Sequence, residues 1–256
     1  MEADADAPDL LLQLPAAARA ELYRQLVGLV TPQRLQRMDA VLAARTAHLT
    51  VVFEDIYHPH NASAVLRTCE CLGLQDVHIV EDTKRFRPAR RIARGSARWL
   101  TLRKWGGEGG GDLPGCLAHL RAAGYAIAAT SPDPAAVPLD EVSLERPLAL
   151  CFGTEETGLS PAAFAEADVK ITIPTPGFTR SLNVSVTVAL VLHNLATRLR
   201  AGAPPSAWRL PAQRCDDLRL VWLAAESRSS RGLAHEALRQ AGLLPPPPPF
   251  FRDRPR

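Results

Sequence analysis

Side chains whose types and spacing could do chemistry fall in four stretches of this chain. Ser181, Asn183 and Ser185 alternate at the head of an apolar run that begins at Leu182. At a helix start, such oxygens and amides bond the unpaired backbone N–H groups or a ligand. A second stretch, Gly153-Thr154-Glu155-Glu156-Thr157-Gly158-Leu159-Ser160, follows the apolar run Leu148–Phe152. Its glycines allow a ligand to approach the backbone closely. It is not GxGxxG and has no P-loop lysine, so no nucleotide-phosphate cradle is implied. In the third, Arg67 stands among Val65, Leu66 and Cys69, six residues after Asn61. The ordinary role of an arginine there is a structural ion pair; the functional one is a forked grip on phosphate.

The fourth stretch is cationic. Lys84, Arg85, Arg87, Arg90, Arg91, Arg94 and Arg98 crowd a segment broken by Pro88 and Gly95 and interleaved with Phe86 and Trp99. Cations this dense repel one another without an anionic partner, and the aromatics among them suit a nucleic-acid backbone. His58 and His60 lack nearby cysteines or an acidic cluster and read as turn residues, not metal ligands. The five cysteines give no CxxC and no disulfide framework, which fits reduced thiols in a cytosol. The chain opens MEADADAPDL, acidic and without a basic n-region, so no signal peptide is expected, and no apolar run is long enough to span a membrane. A net charge of +3 is mild; what matters is where the charge sits.

Elements must hold these stretches in place. Pro15–Val30 reads as a helix with Leu22, Leu26, Leu29 and Val30 on one face. Thr31-Pro32 caps the next helix, which runs to about Ala47 with Leu35, Met38 and Leu42 inward. Arg34, Arg37 and Arg45 lie off that stripe, as a solvated face or as contacts to an RNA backbone. Leu49–Asp55, Val77–Val80, Trp99–Trp105, Tyr125–Thr130, Leu148–Phe152 and Val169–Ile173 read as strands. Between them lie helices at 62–72, capped by Asn61 and ended by Gly73, and at 113–123, ended by Gly124. Ser160-Pro161 opens a short helix, and the apolar run from Leu182 is a long buried one. Alternating strands and helices predict an α/β fold, a mainly parallel sheet with helices on both faces. Pro204-Pro205 breaks the pattern, and residues 211–242 are helical again before a proline run. The expected division is 1–47, a tail and basic helical extension; 48–201, the α/β domain; and 202–256, a helical extension with a Pro-rich tail.

Three stretches in a fixed order, HNASAVLRTCECLG at 60–73, CFGTEETGLS at 151–160 and IPTPGFTRSLNVSVTVALVL at 173–192, resemble the three motifs of the SpoU, or TrmH-like, branch of the SPOUT methyltransferases. The resemblance covers about residues 31–200 and takes in FEDIYHPHN at 53–61 and GSARW at 95–99. Within the family it is strongest to enzymes that methylate the guanosine 2′-hydroxyl of tRNA. It implies a deep trefoil knot in the C-terminal part of the sheet domain, an exception to unknotted topology. It further implies a homodimer whose active site is completed near the subunit interface. S-adenosylmethionine would be held at Thr130, Gly153, Ile173 and Leu182, without metal. The catalytic arginine maps to Arg67 and its asparagine partner to Asn61; Glu155, Ser181 and Asn183 follow from the second and third motifs. Arg34, Arg37 and the seven cations from Lys84 to Arg98 are the expected RNA contacts.

The third-motif loop TPGFTRSLN departs from the Met- and Gln-containing loop common in the tRNA enzymes, with Arg180 in place of the glutamine. Residues 1–30 and 225–256 extend beyond a minimal member. The implied reaction is 2′-O-methylation of guanosine 18 in the tRNA D-loop, in the cytoplasm. A ribosomal RNA target or another tRNA site, and an inactive knotted RNA-binding protein, are the alternatives.

Overall fold

The computed structural model describes residues 7–82, 86, 88, 95–107, 110–179 and 181–245. They divide into two compact units, Ala44–Leu210 and a second formed by the chain on either side, up to Ala43 and from Pro211.

Three helices come first: α1 (Ala7–Leu12), α2 (Ala16–Val27) and α3 (Pro32–Ala43). The expected apolar face of α2 buries Leu22 and Leu26, but the helix stops before Leu29, which is half-exposed. α3 starts as its sequence dictates: Pro32 occupies the first helical position, and the Arg34 N–H donates to Thr31 Oγ1 at 3.2 Å.

The sheet unit runs β1 (Leu49–Glu54), α4 (Pro59–Cys71), β2 (Asp76–Val80), β3 (Thr101–Trp105), α5 (Leu113–Ala122), β4 (Ala126–Thr130), β5 (Val137–Pro138), β6 (Leu148–Phe152), α6 (Pro161–Ala165), β7 (Val169–Thr172), α7 (Val184–Gly202) and α8 (Pro205–Trp208). The strands form one seven-stranded sheet in the order β3-β2-β1-β6-β4-β7-β5. Every neighbouring pair is parallel, among them Val51 opposite Val77 and Phe53 opposite Phe152. β5 is a two-residue edge strand that alternation in the sequence does not announce. The expected strand from Trp99 starts only at Thr101, because Ser96–Trp99 make a 3₁₀ turn.

Side-chain alternation along the strands divides the core. Leu49, Val51 and Phe53 face α4 and α7, meeting Val65, Leu66, Val188 and Leu192. Val52, Ile127, Ala149 and Cys151 face the other way, onto Leu117 and Leu120 of α5 and Ala163 of α6. The sheet is thus covered on both faces, as parallel sheets require.

The sheet unit extends beyond the expected 48–201 on each side, from Ala44 to Leu210. Arg45, read as a solvent-side cation, is fully buried in it. It donates to the Leu74 carbonyl at 2.6 Å and to Glu70 Oε1 at 3.0 Å; burial pulls its pKa down while Glu70 opposes the shift. Thr46 Oγ1 donates to the Trp208 carbonyl at 2.7 Å, tying the entry of the unit to its exit. The remaining helices, α9 (Ala212–Ala225) and α10 (Arg228–Gln240), belong with α1–α3. Arg34 of α3 grips Glu226 at the end of α9 with two nitrogens, Nε at 2.8 Å and Nη2 at 2.9 Å. Among the described residues, no helix is long and apolar enough to cross a membrane.

Candidate functional site

In an open parallel sheet, ligands bind outside the carboxyl ends of the strands. The loops after β1, β6 and β7 meet there, and three residues from three separated motifs converge on one atom. Asn61 Nδ2 donates to Glu155 Oε1 at 2.5 Å, and Asn183 Nδ2 donates to the same oxygen. Asn183 Nδ2 also lies 3.5 Å from Asn61 Oδ1.

Each of these side chains is free to do this for a local reason. α4 starts three residues earlier than its sequence suggests, because Pro59 takes the first helical position and His58 stands as N-cap. Asn61 is therefore inside the first turn rather than capping it, and its amide is released toward Glu155. Asn183 caps α7 with its oxygen, which accepts from the Ser185 N–H at 2.9 Å and the Ser185 hydroxyl at 2.5 Å. Its nitrogen is left for the carboxylate. Glu155 sits at the tip of a tight turn in which Thr154 and Gly158 exchange backbone hydrogen bonds of 3.1 and 3.0 Å. Gly153 makes that turn possible: a Cβ there would lie 2.1 Å from the Gly158 carbonyl and 2.3 Å from the Leu159 nitrogen.

Carboxylates at the strand ends hold the neighbouring loops. Glu54 Oε2 accepts from the Ser160 N–H at 2.9 Å, and Asp55 Oδ1 accepts from the Asp82 N–H at 2.7 Å. Asp55 takes a left-handed φ of 54°, a conformation few non-glycine residues adopt, and it lines the same cleft as Asn61 and Glu155. Tyr57 and His58, which sequence reasoning treated as turn residues or passed over, also line that cleft, with ring centroids 4.2 Å apart. The Tyr57 hydroxyl donates to Glu156 Oε1 at 3.3 Å. FEDIYHPHN placed Tyr57 near Asn61, but nothing in the sequence signalled its partner 99 residues on.

The other expected residues take varied positions. Arg67 is exposed on α4, and among the described residues it has no carboxylate partner, so the structural ion-pair reading does not hold. Ser181 is exposed, and Leu182 is 40% exposed. Thr130 ends β4 and donates its hydroxyl to the Cys151 carbonyl at 2.9 Å, which fastens β4 to β6. Ile173 follows β7 and packs partly on the core. Thr130, Gly153 and Ile173 thus mark the ends of three adjacent strands, β4, β6 and β7. Arg34 spends its fork on Glu226; Arg37 is exposed. Arg98 is exposed and lies 4.2 Å over the Trp99 ring. Lys84, Arg85, Arg87, Arg90, Arg91 and Arg94 lie outside the described residues, as does Arg180.

No thiol is poised as a nucleophile at this edge. Burial pushes the Cys69 and Cys151 thiols well above their ordinary range and Cys116 up to about 12. Among the described residues, no group of three His, Cys, Asp or Glu side chains could hold a metal ion. The edge offers instead backbone at three strand ends, the apolar side chains of Ile173 and Leu182, and amide and carboxylate groups beside them. That set suits an organic cofactor with an apolar body and polar edges.

The model of the SpoU rRNA Methylase family matches residues 48–193. A tRNA (guanosine(18)-2′-O)-methyltransferase of Borreliella burgdorferi is 39% identical over 171 residues, 67% of this chain and 76% of that protein. One from Escherichia coli K12 is 37% identical over 174 residues, 68% of this chain and 73% of that protein. Among solved structures, the A. aeolicus TrmH/SpoU tRNA modifying enzyme matches with a TM-score of 0.66 and 28% identity, across 76% of this chain and 96% of that one.

Proposed function

The chain belongs to the SpoU rRNA Methylase family, and from that membership we propose that it is an S-adenosylmethionine-dependent tRNA 2′-O-methyltransferase acting on guanosine 18. The relatives named above carry that activity in their names. The observation that carries the reading to this chain's own residues is the convergence of Asn61, Glu155 and Asn183 on one oxygen at the carboxyl edge of the sheet.

S-adenosylmethionine would be held at Thr130, Gly153, Ile173 and Leu182, largely by backbone groups, and would supply an electrophilic methyl group. The protein's task is to present a ribose hydroxyl to it and dispose of the hydroxyl proton. Glu155 accepts from two amides and so orders the turn between β6 and α6, with Asn61 and Asn183 as its anchors. Ser181 and the start of α7 shape the wall beside the substrate. Arg67 grips the RNA phosphate bidentately, as a lysine could not. It either relays the hydroxyl proton or leaves it to phosphate or water; an arginine that stays charged favours the second route.

The reading includes a homodimer with a trefoil knot in the C-terminal part of the sheet unit. Arg67 lies six residues beyond Asn61, about 120° around α4 from it. One chain therefore does not aim both at one point, which supports a site shared between two subunits. Exposed Leu182, Val186 and Leu190 recur every fourth residue, an apolar stripe suited to a twofold partner. Arg37, Arg98 and the cations between Lys84 and Arg94 bind the tRNA backbone, and the reaction takes place in the cytoplasm.

The test is transfer of a tritiated methyl group from S-adenosylmethionine to total tRNA and to ribosomal RNA, with the modified nucleotide mapped. Incorporation at guanosine 18 of tRNA is expected. Incorporation only into ribosomal RNA moves the target; none into either, with cofactor bound, leaves an RNA-binding protein.

A further inference from the structure

Two glutamates follow one another at the tip of the turn after β6, and only the first is held by side-chain amides. Glu155 takes two amide donors on one oxygen. Glu156 accepts a single, long hydrogen bond from the Tyr57 hydroxyl at 3.3 Å, and it is exposed. Its second oxygen has no partner among the described residues. Tyr57 brings an aromatic face to the same place, paired with the His58 ring in the cleft that Asn61 and Glu155 line.

Enzymes that modify RNA in loops splay the nucleotide out, stack its base on aromatic rings and read its Watson–Crick edge. The edges differ in hydrogen-bonding groups. Guanine sets two donors side by side, N1–H and the 2-amino group, and a carboxylate accepts both at once. Adenine offers N1 as an acceptor, which a carboxylate repels.

We propose that Glu156, steadied by Tyr57, reads the Watson–Crick edge of the target guanine and so makes this site guanosine-specific. The inference rests on the methyltransferase reading above. Glu156 is a specificity residue in it: it touches the base, not the reacting ribose. Asn61, Glu155 and Asn183 order the chemistry, and Glu156 selects what enters.

The experiment uses full-length protein and three tRNA transcripts that differ only at position 18, carrying guanosine, inosine or adenosine. Inosine lacks the 2-amino group and keeps N1–H. The wild-type protein should prefer guanosine over inosine in kcat/KM by roughly ten- to a hundredfold, the range for losing one hydrogen bond to a charged group, and should reject adenosine further. Glu156→Gln should lower kcat/KM on guanosine by a similar factor while leaving inosine nearly unchanged, so the preference collapses. Tyr57→Phe keeps the ring and frees the carboxylate, and should erode the preference partly. Calorimetric affinity for S-adenosylmethionine should hold in both variants. A Glu156→Gln protein that binds cofactor normally and keeps the full guanosine-over-inosine ratio overturns the proposal, as does a wild type indifferent to the three bases. A wild type that methylates none of the three while modifying other RNA instead overturns the guanosine-18 reading beneath it.

Discussion

Gly153→Ala is the smallest change that should disable the site. The added methyl would stand 2.1 Å from the carbonyl carbon and oxygen of Gly158 and 2.3 Å from the Leu159 nitrogen. Comfortable carbon contacts begin near 3.5 Å, so each overlap exceeds about an ångström. All three atoms are backbone, and no rotamer change relieves them. The turn must open, at a cost of about 1–3 kcal/mol or more for an overpacked site. For a chain of this size that lowers Tm by roughly 2–12 °C. Opening the turn also shifts Glu155 from the two asparagine amides, and an ångström of misplacement can cost on the order of a hundredfold in rate. The assay is a melting scan with single-turnover methyl transfer. Gly177→Ala is the control, because a Cβ there meets nothing within 4 Å and its φ is not positive. If Gly153→Ala melts and transfers methyl groups as the control does, the close packing of the turn is not what holds Glu155.

Arg67→Ala should melt near wild type, since the side chain is exposed, yet lose methyl transfer by roughly a hundredfold or more; Arg67→Lys should remain badly impaired, and a lysine variant with normal turnover would rule out the bidentate grip. Arg34→Ala should lower stability by up to about 1 kcal/mol, its pair with Glu226 being half-exposed, whereas Arg37→Ala should leave Tm alone and flatten the salt dependence of tRNA binding by about one phosphate contact; the opposite pattern would exchange their roles. Native protein should react with a disulfide reagent at exposed Cys71 and more slowly at Cys215, with Cys69, Cys116 and Cys151 protected by burial until unfolding; early labelling of Cys116 would contradict the packing of α5.

What the sequence made legible depended on distance along the chain. The strand Leu148–Phe152 and the glycine that stops α4, Gly73 at φ 82°, are local patterns and could be read residue by residue. Asn61 was read as a cap because capping is the local use of asparagine; its partner lies 94 residues away, and Pro59 supplied the helix start instead. Arg34 looked like a solvent cation because Glu226 is 192 residues distant. Arg45 was assigned to a helix face, though it lies past the end of α3 and fills the core of the sheet unit. Arg67 was partly legible: Ala62, Val65, Leu66 and Cys69 already define the buried face of α4, and position 67 falls outside it. The site itself follows from strand order. β6 lies between β1 and β4, so the turn carrying Glu155 comes up beside the start of α4, and β7, beyond β4, delivers the chain toward Asn183. No periodicity encodes that order. Three polar motifs could be found singly, but only the sheet brings their side chains to one carboxylate, that of Glu155.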